Sequence, residues 1–221
     1  RIVVQGDLAH NNAVTLRANV APQIAGNFFT VNLRNVRSAF EQVPWVRSAQ
    51  VRREYPRTLR VQLQEHRAVA HWGPESGSSM VNSEGEVFES NGVDAELDDL
   101  PRLMGPVGTS EQVLAMEQAL LPVFEPLGLE LSGLELSTRG GWRASFDGDA
   151  AIELGSGTPP EVVQRTRNFA ETLTRVAAQF GRRADALESA DLRHTGGYAL
   201  RLRGVSTVAA QGTPRAARTH N

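Results

Sequence analysis

The sequence contains no cysteine among its 221 residues. This absence excludes disulfide bonds, thiolate metal sites and cysteine nucleophiles together. It is compatible with an oxidising compartment, where an unpaired thiol is a hazard, but does not require one. Aromatic residues are also scarce, at 6%, whereas the apolar share of 40% and the charged share of 22% are ordinary for a soluble globular protein. The chain is long enough for one large domain or two small ones.

Neither sign of charge dominates, since the formal net charge is −2. A nucleic-acid-binding protein normally shows a basic balance or a basic face, so we expect no nucleic-acid partner. Long apolar runs are missing as well. The chain begins at Arg1 without an initiator methionine, a signal peptide or an apolar segment of about twenty residues. We therefore expect a fragment or processed product whose targeting segment lies upstream.

Motifs for catalysis and ligand binding are sparse. The histidines lack partners at metal-ligand spacing, so we interpret them as solvated or structural. The segment Gly155-Ser156-Gly157 precedes a helix but lacks the third glycine of a dinucleotide loop and the Lys-Ser/Thr of a P-loop. Asp98 and Asp99 lie in a polar stretch and are better explained as a solvated acidic patch than as an acid/base pair. The sequence thus predicts no catalytic residues, metal, cofactor or small-molecule substrate.

The first 70 residues predict a three-stranded sheet with two helices on one face. Asn32 is suited to cap the second helix, and Pro44 ends it. The predicted strands cover residues 2–5, 46–53 and 59–64, and the predicted helices cover residues 11–24 and 32–43. The resulting order is β-α-α-β-β, which buries one side of the sheet and leaves the other polar.

The remainder of the chain predicts a larger β domain with two helices. Thr109 and Gln112 have capping-box spacing at the start of the first of these helices, and Pro159-Pro160 suits the first turn of the second. The second helix is predicted to run to residue 180, where Gly181 stops it, with an apolar stripe of Val162, Thr166, Phe169, Leu173, Val176 and Phe180. Residues 91–106 are predicted to be a loop, and residues 206–221 a disordered tail. The predicted strands cover residues 68–72, 79–82, 87–88, 129–136, 142–146, 150–154, 186–192 and 198–203. The predicted fold class is therefore α+β, with an extended, mainly antiparallel sheet in the second domain.

Short motifs along nearly the whole chain resemble, in order, those of the FtsQ/DivIB family of bacterial cell-division proteins. The motifs are Val4-Gln5-Gly6, Gly26-Asn27-Phe28-Phe29, Val43-Pro44-Trp45-Val46, Val51-Arg52-Arg53-Glu54-Tyr55-Pro56, Glu65-His66-Arg67-Ala68-Val69-Ala70-His71-Trp72, Val81-Asn82-Ser83-Glu84-Gly85-Glu86-Val87-Phe88, Leu100-Pro101-Arg102-Leu103 and Asp191-Leu192-Arg193. The resemblance implies a polypeptide-transport-associated (POTRA) domain at residues 1–70 and a family-specific β domain at residues 71–205.

The same resemblance implies a non-catalytic scaffold of the division machinery, the divisome, rather than an enzyme. It implies a single-pass inner-membrane protein whose transmembrane helix lies upstream of Arg1, with this chain on the periplasmic side of the membrane at the division septum. The implied partners are FtsB and FtsL, together with other divisome proteins. The implied role is to link early and late division proteins and to regulate septal peptidoglycan synthesis without catalysing it.

The resemblance also implies where FtsB binds. The last strand, expected from His194 to Leu202, would offer an unpaired backbone edge to which FtsB adds a strand. Arg193 would pair with a partner carboxylate. Arg139 matches the first of two family arginines, but Gly140 replaces the second. Leu202 stands where the family has a tryptophan, unless Tyr198 substitutes for it. The residues expected to bind FtsB are Arg139, Arg193, His194, Gly197, Tyr198, Ala199, Leu200 and Leu202.

A second implied surface, for upstream divisome proteins, includes Val51 and Arg53 in the POTRA part. A core position is an equal alternative for Val51, and a local salt bridge is the preferred role of Asp191. Two other functions stay open. One is a POTRA-type chaperone or secretion module that binds extended peptides, which the single POTRA domain disfavours. The other is a cell-wall enzyme, which would need an acid/base or metal constellation.

Overall fold

The computed structural model describes residues 1–6, 8–24, 27–90, 97–194 and 196–205. The tail expected at residues 206–221 lies outside them. No helix among the described residues is both long and apolar enough to cross a membrane. In chain order the elements are β1 (Ile2–Gly6), α1 (Ala13–Val20), α2 (Leu33–Glu41), β2 (Val46–Glu54), β3 (Thr58–Glu65), β4 (Ala68–Trp72), β5 (Ser79–Asn82), β6 (Val87–Glu89), β7 (Arg102–Met104), α3 (Ser110–Phe124), β8 (Leu131–Leu136), β9 (Gly141–Phe146), β10 (Ala151–Ser156), α4 (Pro159–Gln179), β11 (Leu187–Asp191) and β12 (Ala199–Leu202).

The first sheet has the strand order β1-β3-β2, with β1 parallel and β2 antiparallel to β3. Helices α1 and α2 pack against it, and their apolar residues form one core with the sheet around Val20, Phe40 and Val61. The Asn32 side chain caps α2 by accepting a hydrogen bond from the Arg34 N–H at 2.9 Å. The predicted β-α-α-β-β order is confirmed.

The second sheet has the strand order β12-β11-β10-β9-β8-β7-β4-β5-β6. Its neighbouring strands are mainly antiparallel, with parallel pairs at β10–β11, β7–β8 and β4–β7. The residues that α3 and α4 bury against the sheet share one large core, which includes Phe124, Trp142 and Phe169. The α+β class and the mainly antiparallel sheet with two helices are confirmed.

Strand β7 was missed by the sequence analysis, which predicted a loop over residues 91–106. It pairs in parallel with β8 through all three of its residues and with β4 through Arg102 and Leu103. A three-residue segment between Pro101 and Gly105 is too short to show the alternation that identifies a strand. The division expected after residue 70 falls inside β4, which pairs within the second sheet.

Two predictions about the helices of the second domain were wrong. The Thr109 hydroxyl donates to the Pro106 carbonyl at 2.7 Å, so it does not cap α3. The capping box is instead at α4, where the Glu161 carboxylate accepts from the Thr158 N–H at 2.8 Å. The apolar stripe expected to run to residue 180 ends at Ala177, and Phe180 is 49% exposed.

The two sheets meet at a small apolar joint. Trp45 precedes β2, and it packs edge-on against Phe88 of β6 with ring centroids 5.0 Å apart. His66, between β3 and β4, stacks on the other side of this contact against Phe88 at 4.2 Å, and burial lowers the pKa of its imidazole. The Arg47 guanidinium donates to the Glu86 carboxylate at 2.7 Å across the joint.

A buried carboxylate fixes the segment that leads into α1. The Glu65 side chain is 3% exposed, and its oxygens accept from the His10 N–H at 2.9 Å and from the Asn11 amide at 2.8 Å. Asn11 also donates to the Pro44 carbonyl at 3.2 Å. The end of β3 is thereby tied to both helices of the first sheet.

We predict that Glu65→Ala lowers the free energy of unfolding by about 1–3 kcal/mol, because it removes the buried carboxylate that accepts hydrogen bonds from the His10 N–H and the Asn11 amide. Urea denaturation followed by circular dichroism measures the loss. The control Glu65→Gln keeps one side-chain oxygen and should lose less. An equal loss for both variants would contradict this assignment.

Candidate partner-binding edge

Strand β12 is the last strand of the second sheet and pairs with β11 alone among the described residues. The paired residues are Asp191 with Ala199, Ala190 with Leu200, and Ser189 with Arg201. Pairing continues past the strand, since the Arg203 N–H donates to the Ala186 carbonyl at 2.8 Å. One long side of β12 is thus open within the part of the chain that the structure describes.

Strand alternation identifies the backbone groups on this open side. The Leu192 N–H donates to the Glu153 carbonyl of β10, so Asp191 and Ser189 direct their backbone groups toward β12. Their partners Ala199 and Arg201 face β11 in return. Leu200 and Leu202 therefore direct their backbone groups outward. The Leu202 carbonyl accepts from the Val205 N–H at 3.2 Å, which leaves the Leu200 N–H and carbonyl and the Leu202 N–H as the free groups of the strand.

The edge strand is shorter than the segment from His194 to Leu202 that the sequence analysis expected. Only Ala199–Leu202 forms a strand, and the described residues before it are irregular. Gly197 has a φ of +157°, a conformation that side-chain-bearing residues rarely adopt. His194 and Gly197 are exposed and precede β12, so they are not part of the edge strand.

Three of the expected residues near the edge are partly or fully occupied by the protein's own core. Leu202 is 3% exposed, so its side chain cannot serve as a surface anchor in place of the family tryptophan. Leu200 is half-buried and packs on the same core. Tyr198 packs edge-on against Phe169 of α4 with ring centroids 5.4 Å apart, and its remaining surface lines a groove along α4. Ala199 is exposed.

Phe180 is a candidate that the sequence analysis did not identify. With Glu188, Arg201 and Val205, it lines a groove of about 540 Å³ beside the outer side of β12. Phe180 is the C-cap residue of α4, one position past Gln179, where the helical backbone ends. Helical periodicity places Phe180 within about 20° of the buried Phe169, so the sequence pattern predicts burial and does not signal this exposure.

Arg193 is engaged within the chain. Its Nε donates to Asp191 Oδ1 at 2.9 Å and its Nη2 donates to Oδ2 at 2.6 Å, while its backbone N–H donates to Oδ1 at 3.0 Å. These hydrogen bonds from Arg193 hold the pKa of Asp191 down at about 2. The local salt bridge preferred for Asp191 is therefore present. The Nη1 group of Arg193 has no hydrogen-bond partner among the described residues.

Arg139 lies at the same end of the sheet as Arg193. It occupies the exposed turn between β8 and β9, and Arg193 follows β11, whose end is aligned with that of β8 through β10. Two to three strand spacings separate the two arginines, which is roughly 12 Å. Four charged residues occupy neighbouring paired positions on adjacent strands of this sheet. In strand order from β8 to β11 they are Glu135, Arg143, Glu153 and Asp191.

The POTRA-surface residues lie on β2, at an edge of the first sheet. Val51 is half-buried and packs against the first core, as the alternative interpretation allowed. Arg53 donates from Nε to the Phe28 carbonyl at 3.0 Å and from Nη2 to the Val31 carbonyl at 2.7 Å. Arg53 thus holds the turn before α2 against β2.

An open cavity of about 1060 Å³ lies away from the β12 edge. It opens over β7 and β8 and is lined by acidic residues, including Asp98, Asp99, Glu130 and Asp147. Among the described residues, no group of three histidine or acidic side chains is arranged to bind a metal ion.

We predict that Arg193→Gln raises the pKa of Asp191 from about 2 toward its ordinary value of 3.8, because the guanidinium that stabilises the carboxylate is removed. In the native protein the folded-state pKa is depressed. The pair therefore stabilises the fold above about pH 4, and this contribution is lost as the pH falls toward 2. Carboxyl-carbon NMR titration measures the pKa, and an unchanged value in the variant would contradict the assignment.

Comparisons with known proteins agree with the two-part architecture. A family model for the FtsQ-type POTRA domain matches residues 1–66, and a model for the C-terminal part of the cell division protein FtsQ/DivIB matches residues 70–193. The second match ends at Arg193, so β12 lies beyond it.

Individual relatives match over most of the chain. A cell division protein FtsQ from Thiomonas arsenitoxydans is 38% identical over 204 residues, covering 91% of this chain and 74% of the relative. The FtsQ of Burkholderia pseudomallei is 37% identical over 92% of this chain and 79% of its own length, and that of Xanthomonas campestris is 32% identical over 92% and 69%. The chain therefore belongs to the FtsQ/DivIB family of cell-division proteins.

Proposed function

We propose that this chain is the periplasmic, non-catalytic scaffold region of a divisome protein, and that it binds an FtsB-like segment, together with FtsL, by strand addition at β12. The carrying observation is that β12 ends the second sheet with outward-facing backbone groups at Leu200 and Leu202. In this proposal an upstream helix anchors the chain in the inner membrane at the septum. The bound complex links early and late division proteins and so regulates septal peptidoglycan synthesis.

The brevity of β12 determines what kind of partner fits. Three free backbone groups give a partner strand few hydrogen bonds, and each contributes only about 0.5–1.5 kcal/mol net. Side chains must therefore supply much of the affinity. Phe180 and Val205 offer apolar surface beside the strand, and Tyr198 offers a ring edge at its start. A partner strand with apolar residues on one side and an acidic residue near Arg193 suits this surface.

Arg193 and Arg139 would receive acidic groups of the partner. The free Nη1 of Arg193 can donate to a second carboxylate while Nε and Nη2 keep Asp191. Arg139 is exposed on its turn and has no ion-pair partner among the described residues. His194 and Gly197 line the approach between Arg193 and the strand.

For upstream divisome proteins we propose the β2 edge of the first sheet. In this interpretation Val51 contributes through the backbone of the edge and through core packing, and Arg53 contributes by fixing the adjacent turn. The two surfaces lie on different sheets, so one chain can hold two partners at once.

We predict that Leu200→Pro weakens binding of a periplasmic FtsB segment at least tenfold, because proline removes the outward N–H and blocks strand addition. Calorimetric titration measures the affinity. Leu200→Ala is the matched control, since it loses the same side-chain packing but keeps the N–H. Equal affinities for the two variants would exclude strand addition. Proline at Ala199 is unsuitable as a test, because that N–H faces β11.

We predict that Arg193→Glu abolishes measurable FtsB binding, since it places a second negative charge beside Asp191 where a partner carboxylate would dock. Arg143→Glu, a reversal on the same sheet away from the edge, is the control. Surface plasmon resonance at two salt concentrations separates the charge effect from misfolding. Tight binding of unrelated unfolded β-barrel peptides would instead favour a chaperone role, and hydrolysis of purified peptidoglycan would favour an enzyme.

A further inference from the structure

The net charge of −2 conceals a strong separation of charge along the chain. Residues 1–70 contain ten arginines and four acidic residues, whereas residues 71–205 contain eleven arginines and twenty-one acidic residues. The formal charges of the two parts are therefore +6 and −10. Every basic residue other than histidine is an arginine. The first part is thus a strongly basic domain joined to an acidic one. A surface that uses the positive charge of the first part would account for this separation.

Exposed aromatic rings lie at one end of this basic part. Tyr55 is 78% exposed and Phe29 is 69% exposed, and both contact Phe28, with ring centroids at 5.8 Å and 5.1 Å. We call the surface formed by Phe28, Phe29 and Tyr55 the aromatic tip. Single exposed apolar side chains are common, but here two exposed rings join a third into one contiguous patch, which is typical of an interaction surface.

Arg53 fixes the aromatic tip in place. Its guanidinium bonds the carbonyls of Phe28 and Val31, which pins the turn that carries Phe29 to the end of β2, two residues before Tyr55. The tip is consequently an ordered surface formed from two separate segments. Arg52 and Arg57, on either side of Tyr55 in the chain, are exposed and have no ion pair among the described residues.

The tip lies at the end of the domain where the chain enters it. The Arg1 amino group donates to the Arg57 carbonyl at 2.9 Å, and the Leu59 N–H donates to the Arg1 carbonyl at 2.8 Å. The opposite end of the domain carries Trp45 and the joint with the second sheet. The aromatic rings and unpaired arginines therefore surround the chain entry and point away from the acidic part.

We propose that the aromatic tip is a docking surface for an anionic phospholipid bilayer. Phenyl and phenol rings partition into the interface between headgroups and acyl chains, and arginines beside them pair with lipid phosphates. The acidic part of the chain, on the far side of the joint, is repelled by the same surface. Contact at the tip orients the domain upright on the membrane and directs β12 away from it. This inference rests on the proposed function in one respect, namely that the chain is held close to a bilayer.

Vesicle co-sedimentation of the whole chain tests this surface. At low salt we expect binding to vesicles that contain phosphatidylglycerol and little binding to phosphatidylcholine alone. The double variant Arg52→Gln/Arg57→Gln should weaken binding by roughly fivefold for each arginine. The double variant Phe29→Ser/Tyr55→Ser should remove it. Both pairs are exposed, so the thermal unfolding midpoint should stay that of the native chain.

Matched controls separate the tip from general charge and stickiness. Arg167→Gln/Arg175→Gln removes two exposed arginines from α4, and Phe180→Ser removes an equally large exposed ring from the second domain. Neither should change vesicle binding. Because the chain has no cysteine, Thr30→Cys can carry a single polarity-sensitive fluorophore. Its emission should shift to shorter wavelength with phosphatidylglycerol vesicles, while the same probe at Gln42→Cys, beyond the other end of α2, should not respond.

Three results would overturn the proposal: no sedimentation with phosphatidylglycerol vesicles, equal loss in tip and control variants, or a fluorophore response at residue 42 as large as at residue 30. Absence of vesicle binding would favour an apolar protein surface as the occupant of the tip. The strand-addition proposal is judged separately, because FtsB affinity at β12 is measured without lipid and the tip variants leave β12 unchanged.

Discussion

The three residues of β7 hold the second sheet together as one sheet. On one side of β7 lie β4, β5 and β6, and on the other lie β8 to β12. Backbone bonds from the His71 N–H to the Pro101 carbonyl and from the Gly73 N–H to the Leu103 carbonyl, at 2.9 and 2.8 Å, join the first group to the strand. Trp45 packs against β6 in the first of these groups. The candidate partner-binding edge, β12, belongs to the second group. The position of the POTRA part relative to β12 therefore depends on this short parallel strand, buried at Leu103.

The two proposed surfaces lie on parts of opposite charge. The basic part carries the aromatic tip at the chain entry, and the acidic part carries the sheet that ends in β12. At the joint the charges meet directly, since Arg47 bridges to Glu86 and to Glu84 at 3.3 Å. Such exposed pairs contribute little stability, so the aromatic contact of Trp45 with Phe88 is the stronger part of the joint.

How accurately each helix or strand could be predicted from the sequence depended on how many residues carry its hydrophobic pattern. Helices α2 and α4 and strand β3 carry clear periodicity, and the sequence located all three within one or two residues. Strand β7 is too short for any period and was missed. The Thr-x-x-Gln spacing at residue 109 resembles a capping box, but the hydroxyl bonds a preceding carbonyl, a choice that depends on the turn at Pro106. Local sequence chemistry does not contain that information.

The candidate site shows the same limit. Its location at the C-terminal edge followed from the family resemblance, but the length of the strand did not, because Gly196 and Gly197 leave β12 with four residues. That Arg53 binds backbone carbonyls and that Arg193 binds Asp191 are facts of side-chain direction, which spacing alone does not show. The sequence shows that residues 53 and 193 are arginines. Only the fold shows which N–H groups of each guanidinium are already used within the chain.

A short edge reconciles two opposing requirements. A long open strand would expose a template for self-association, so a protein that must stay soluble before its partner arrives benefits from few free groups. Those few groups then need assistance from side chains that are already oriented. The Asp191 carboxylate holds Arg193 in one orientation, with its Nη1 directed to solvent, and so reduces the entropy that arginine loses when a second carboxylate binds. In the proposed complex, the ion pair that occupies Arg193 in the free chain therefore prepares this side chain to bind a partner carboxylate.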